Sequence, residues 1–162
     1  DGEAFGIKSK NLIEDEPLGT AGSLKLLDIT SNNPLIIMNG DLLTEINFRE
    51  LLNFHNKQNA EATLTVAEYE YNIPYGVVQV DKNRLLNFKE KPSYKYLINA
   101  GIYVINPNSL NFLNLNEYFE MPDLLEKIKN KNKAKVAIFK LQEYWLDIGS
   151  KESYHEAYSY LG

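Results

Sequence analysis

Apolar positions recur along this chain with two different periods, and the changes of period mark out its elements. Residues 7–13 read as a short strand. Residues 20–30 carry a helical pattern, with Ala21, Leu24 and Leu27 on one side. Leu35-Ile36-Ile37-Met38 is a continuous apolar run that enters Asn39-Gly40-Asp41, which suits a buried strand running into a loop. A helix is predicted over 47–58. Asn47 is placed to cap it, Glu50 has capping-box spacing, and Leu51, Leu52, Phe54 and His55 supply its inner face. Residues 62–69 alternate and are β-branched, a strand pattern. Further strands are predicted over 75–80, 85–89 and 101–105, separated by turn signals at Asp81-Lys82-Asn83 and Lys91-Pro92-Ser93. A helix over 122–130 starts at Pro122 with Asp123 in its first turn. A strand over 136–141 follows, and Ser150 is placed to cap a last helix that reaches Tyr160. Alternating strands and helices, then a strand-rich patch, predict an α/β fold with a mixed sheet region.

Composition narrows the chemistry. The 162 residues suffice for one domain, and 44% apolar against 24% charged residues is an ordinary globular balance. With no cysteine, the chain offers neither a disulfide nor a thiolate ligand or nucleophile. A net charge of -5 argues against a nucleic-acid binder. The apolar runs are too short to span a bilayer. The expectation is therefore a cytoplasmic protein without nucleic-acid or membrane partners. The chain starts at Asp1 rather than Met, and is expected to be a fragment or a processed form.

Five segments carry candidate chemistry, each with a plainer reading beside it. Leu18-Gly19-Thr20-Ala21-Gly22-Ser23 places two glycines where a strand was predicted to enter a helix. This is a tight turn, or a place where a ligand approaches the backbone and free helix N–H groups. Asp41 follows a predicted strand, where α/β sheets hold ligands, and is either a Mg²⁺ carboxylate or a turn residue. Glu90-Lys91-Pro92 is a solvated turn, or a hydroxyl acceptor beside a phosphate-binding cation. Asn99-Ala100-Gly101-Ile102-Tyr103 is a strand start or a ligand contact. Tyr144-Trp145-Leu146-Asp147-Ile148-Gly149 holds the single tryptophan, and Asp147 lies among apolar neighbours, where an unpaired charge needs a partner or a metal. His55 and His155 lack a second ligand at metal spacing and are expected to be packing or surface residues.

In this order, with Tyr75-Gly76-Val77 among them, the segments resemble the sugar-1-phosphate nucleotidyltransferases, the NDP-sugar pyrophosphorylase family. The resemblance spans the chain. It implies a Rossmann-like three-layer fold with a mixed sheet, and an Mg²⁺-dependent enzyme acting on a sugar-1-phosphate and a nucleoside triphosphate. Asp41 and Asp147 would hold Mg²⁺ as catalytic residues, and Lys91 would neutralise the sugar phosphate. Gly19 would lie against the base, with Asn39 also on the substrate. Gly76, Glu90 and Asn99 would contact the sugar, and Trp145 would wall the pocket. Residues 72–78 and 117–123 are similar to mannose-1-phosphate guanylyltransferase-like members with upstream CBS domains in bacterial surface-glycan pathways, which implies GTP. The family's phosphoryl-transfer chemistry needs positioning and charge neutralisation rather than a protein nucleophile.

Nothing in the chain matches the family's G-G-x-G-T-R-L loop or its Pro-Lys-Pro segment. The first strands and helices are therefore expected to be absent, residues 1–162 to be the C-terminal portion of one domain, and the fragment to be inactive alone. An open sheet edge would then favour a homodimer. Two other readings are a non-catalytic sugar-phosphate-binding domain and a glycosyltransferase. The second is disfavoured because Asp41 is followed by Leu42-Leu43 rather than completing an Asp-x-Asp motif.

Overall fold

The computed structural model describes Gly2, residues 6–131 and residues 134–161. A short helix α1 (Gly19–Gly22) and a 3-10 turn (Ser23–Leu26) lead to β1 (Leu35–Met38) and β2 (Leu42–Thr44). Then come α2 (Phe48–Gln58), β3 (Ala62–Asn72), β4 (Val77–Asp81), β5 (Arg84–Lys89) and β6 (Ser93–Ile105). A 3-10 turn (Pro107–Phe112), α3 (Met121–Asn130), β7 (Val136–Lys140), β8 (Trp145–Asp147) and α4 (Lys151–Leu161) complete the order.

The main sheet runs β1-β6-β3-β7. β6 is antiparallel to both β1 and β3, and β7 is parallel to β3. The sheet is therefore mixed, as expected. Its alternating side chains build one core on each face. Tyr103 and Ile105 of β6 join Leu124, Leu125 and Ile128 of α3. Ile102 and Val104 join Leu51 of α2 on the other face. Helices on both faces of one sheet give the three-layer arrangement. Each fully buried leucine, such as Leu51 or Leu124, is worth about 1.5–3 kcal/mol relative to exposure.

Several local expectations hold for the reasons given. Asn47 Oδ1 accepts from the backbone N–H groups of Arg49 (3.1 Å) and Glu50 (3.2 Å), which caps α2. Ser150 Oγ accepts from Ser153 N at 3.0 Å, which caps α4. Others are corrected. Residues 7–13 form no strand, and Ile13 is 88% exposed; apolar residues without a partner strand make no ladder. The helix expected over 20–30 is one α turn and one 3-10 turn, because the backbone is already extended at Leu27. β6 begins at Ser93, well before residue 101, since its front half pairs with the extension of β3 as far as Asn72. The ribbon of β2 and β8 was not predicted, three residues being too few for any periodicity.

The β3–β6 ladder contains one large irregularity. Leu64 pairs with Tyr103 and Val66 with Asn99, so Thr65 alone faces Ala100, Gly101 and Ile102. Thr65 Oγ1 donates to the Ile102 carbonyl and closes the bulge. Gly101 sits in it at φ 69°, a left-handed conformation that side-chain-bearing residues rarely adopt.

His55 is the largest buried polar side chain of the helix layer, only 1% exposed. Asn106 Nδ2 donates to the Ala60 carbonyl (3.0 Å), which turns Asn106 Oδ1 toward His55 Nε2 (3.2 Å). Nε2 therefore carries the proton, and Nδ1 accepts from Thr63 Oγ1 (2.9 Å). The histidine is a satisfied tie between α2, β3 and the end of β6.

His55→Phe leaves Thr63 and Asn106 without this partner and should lower the unfolding free energy by about 1–3 kcal/mol, read by chemical denaturation; an unchanged midpoint would contradict the role given to this network. Gly101→Ala places a methyl 2.8 Å from Asn39 Nδ2 and adds about 1–2 kcal/mol of left-handed backbone strain. It should lower the melting temperature and shift the NMR signals of Asn39 and Leu42.

Candidate functional site

β1 delivers Asn39-Gly40-Asp41 to the edge of the β6 bulge. Asn39 N donates to the Gly101 carbonyl at 2.9 Å, and a Cβ on Gly101 would meet the Asn39 amide and Leu42. Trp145 reaches the same bulge from β8, its Nε1 donating to the Ala100 carbonyl at 2.8 Å. Asn99 closes the bulge from within: its Oδ1 accepts from Gly101 N (2.9 Å) and its Nδ2 donates to Tyr103 Oη (2.8 Å). Asn39, Asn99, Gly101 and Trp145 are thus knit around one irregularity.

The β2–β8 ribbon does the rest. Leu42 pairs with Asp147, and Ile148 N donates to the Asp41 carbonyl at 2.9 Å. Asp41 and Asp147, 106 positions apart in the chain, therefore lie diagonally across the ribbon's end, one residue out of register. A Cβ built on Gly149 would lie 2.9 Å from Asp147 Oδ1 and 3.9 Å from Asp41 Oδ2. Both carboxylates thus approach the Gly149 backbone, and both residues are exposed. Gly149 N donates to Asp147 Oδ1 at 2.8 Å and fixes that side chain. Two exposed carboxylates near one another fit the donor chemistry of Mg²⁺, which takes one or two of them and completes its shell with water and phosphate oxygens. The low aspartate count at the site is what this ion, rather than a protein-caged one, requires.

The glycine segment has a different surrounding from the one the sequence predicted. The N–H groups at the start of α1 are not free. Ala21 N (2.9 Å) and Gly22 N (3.2 Å) donate to the Phe119 carbonyl, and Thr20 N donates to Glu120 Oε2 at 3.3 Å. Gly19 has φ 73°, and a Cβ there would lie 2.7 Å from the Phe119 carbonyl oxygen. The glycine is needed for this backbone contact whatever else it meets.

Gly76, Glu90 and Lys91 lie together at the root of the β4–β5 hairpin. A Cβ on Gly76 would be 3.0 Å from Glu90 Oε2 and would overlap the Phe88 ring. Lys91 is exposed with φ 41°, and Ile73 N closes the root on the Pro92 carbonyl at 3.0 Å. From the bulge to this root the ladder runs from Val66 to Asn72, about 20 Å of strand at about 3.3 Å per residue. Among the described residues no hydrogen bond or ion pair joins Lys91 to Asp41 or Asp147.

Two residues escaped the sequence reading. Tyr103 is buried, and burial pushes its phenol up while the Asn99 bond pulls it down. It was quoted within the Asn99 segment but carried no role. Glu120 was quoted only within 117–123. Its carboxylate accepts from Thr20 Oγ1 at 2.5 Å and from Tyr118 Oη, and these bonds, Thr20's first, hold it below the ordinary glutamate range. A depressed folded value means that this contribution is present above the unfolded value and lost as pH falls through the folded one. No signal short of the contact between 20 and 120 could have marked it. Asn99, Pro122, Leu125, Glu126, Lys129, Leu64 and Val136 line a groove of about 300 Å³ beside α3.

Residues 1–161 match the protein-family model described as nucleotidyl transferase. A mannose-1-phosphate guanyltransferase of Pichia angusta is 33% identical over 93% of this chain and 43% of its own length. A probable mannose-1-phosphate guanylyltransferase 3 of Arabidopsis thaliana is 35% identical over 87% of this chain and 44% of its own. The chain thus spans less than half the length of these curated relatives. HddC of Yersinia pseudotuberculosis, solved alone and complexed with GMP-PN, has the same fold at TM-scores of 0.66 and 0.64, with 23% and 21% identity, over 93% of this chain and 66% of that one. The chain belongs to the nucleotidyl transferase family.

Proposed function

We propose that the protein containing this chain transfers GMP from GTP to a sugar-1-phosphate, giving a GDP-sugar and pyrophosphate. The observation that carries the reading is the approach of both Asp41 and Asp147 to Gly149, in a chain of this family. An oxygen of the sugar phosphate attacks the α-phosphorus, the new P–O bond forms, and the bond to the β-phosphate oxygen breaks to release pyrophosphate. Mg²⁺, when bound, supplies charge neutralisation at the reacting phosphates. Asp41 and Asp147 hold it, and the short β2–β8 ribbon keeps them oriented. Guanine as the base, with mannose-1-phosphate the first sugar to test, is supported by the names of the relatives and by the GMP-PN complex of HddC.

The remaining assignments belong to the same proposal. Gly19 faces the base. Asn39, anchored on Gly101, borders the substrate. Trp145 walls the sugar side, and Asn99, Gly76 and Glu90 meet sugar hydroxyls. Lys91 neutralises the sugar phosphate as a point charge, which requires the arm formed by β3 and β6 to bring the hairpin root toward the carboxylates. The setting in bacterial surface-glycan synthesis rests on the likeness of 72–78 and 117–123 alone. No helix among the described residues is long and apolar enough to cross a membrane, and a cytoplasmic location is part of the proposal.

Residues 1–162 are proposed to be the C-terminal portion of one domain. β1 supports this: it is an edge of the sheet, yet Ile36 and Met38 are 37% and 39% exposed on a strand with the composition of a central one.

Asp41→Asn and Asp147→Asn should each lower turnover of the full-length protein about 100-fold or more, and chelation should abolish it; retained pyrophosphate release in both variants would remove the metal assignment. The isolated 162 residues should turn over little or not at all and should self-associate through the β1 edge. Multi-angle light scattering that finds only monomer at high concentration would contradict the edge argument.

A further inference from the structure

Glu120 immediately precedes α3, yet its side chain does not cap that helix. It turns to α1 instead. Oε2 accepts from both Thr20 Oγ1 (2.5 Å) and Thr20 N (3.3 Å), and Oε1 accepts from Tyr118 Oη. Thr20 Oγ1 in turn accepts from Met121 N at 2.8 Å, so a residue 101 positions away takes over the capping of α3. Gly19 lies directly before this clasp, its backbone pressed on Tyr118 and Phe119.

Three points separate a device for geometry from a device for stability. α1 has four residues, far below the length at which a helix holds itself, so outside contacts set its conformation. Backbone bonds to Phe119 flank Gly19 on both sides, from Phe119 N to the Leu18 carbonyl (2.9 Å) and from Ala21 N and Gly22 N to the Phe119 carbonyl, and survive any side-chain change there; the Thr20–Glu120 clasp, which depends on two side chains, is the part of the hold that a substitution can loosen. The clasp is exposed, where polar contacts add little to global stability, yet a carboxylate is used to receive three donors at once.

We propose that Glu120 is a positioning residue: by gripping Thr20 it sets the orientation of the Gly19 backbone, and through it the affinity for the nucleotide base. The inference deepens the proposed function and rests on its placement of Gly19 at the base. Glu120 touches no reacting atom, so its influence falls on nucleotide binding and leaves the chemical step and the sugar-phosphate side alone.

The test uses the full-length protein with GTP, mannose-1-phosphate and Mg²⁺, with calorimetry for GTP and separate KM values for both substrates. Glu120→Ala should weaken GTP binding and raise its KM about 10-fold, the effect of losing a charge-assisted bond. kcat and the sugar-phosphate KM should stay within about twofold. Glu120→Gln keeps one acceptor oxygen and should fall between Ala and wild type. Thr20→Val should reproduce the loss, Thr20→Ser should restore it, and the Glu120→Ala/Thr20→Val double variant should be no worse than either single one. The Thr20 pair reads the same contact should Glu120→Ala not fold. Wild-type affinity for GTP in Glu120→Ala overturns the inference alone. So does a loss shared by both substrates with a lowered melting temperature, since that is what a purely structural clasp would give. A wild-type protein that binds no GTP overturns the proposed function, and the inference falls with it.

Discussion

The bulge in β6 is the constraint on which the site depends. One residue of β3 faces three of β6, and the excess chain is absorbed by Gly101 at φ 69°. The Gly101 carbonyl keeps the β1 register and accepts from Asn39 N, while the Ala100 carbonyl, in the stretch of β6 left without a β3 partner, accepts from Trp145 Nε1. Those two bonds dock β8 and the loop after β1 at the same place. The β2–β8 pairing then follows, and with it the meeting of Asp41 and Asp147. A local backbone irregularity in the middle of the sheet is thus converted into a carboxylate pair at its edge.

The glycine segment obeys a different logic. It is a single helical turn whose N–H groups are already taken by Phe119 and Glu120. Its glycines are there because two backbones touch. Among the described donors, Thr20, Ala21 and Gly22 N–H are already used within the chain. This differs from the helix-terminus mechanism that two glycines before a helix imply.

Legibility followed the range of the interactions. β1, the capped α2, α3 and the α/β class could be read because the apolar run, the Asn47 cap and the 3.6-residue period are local signals. The carboxylates could be read singly, each with a turn as its plain alternative. Their convergence could not, because β2 and β8 are three residues each and exist only through pairing across 100 positions. The same holds for Thr20 with Glu120. Residues 7–13 show the opposite failure, a local pattern with nothing to pair against.

The site divides into parts of unequal rigidity. Asp41, Asp147 and Trp145 rest on the bulge and on the cluster of Ile102, Val104 and Leu51. Gly76, Glu90 and Lys91 rest on a two-stranded extension ending in a two-stranded hairpin, with every residue of β5 exposed. Segments with few buried apolar contacts open at low free energy, and an isolated hairpin is marginal. On the proposed assignment, the geometry around Asp41 and Asp147 would be set before any ligand arrives, and the hairpin side would be ordered by a bound sugar phosphate at a cost to its affinity. On this division, substitutions around the bulge act on a preorganised arrangement and fall on the chemical step. Substitutions in the hairpin root fall on sugar-phosphate binding, and the two sets should add, since they share no partner.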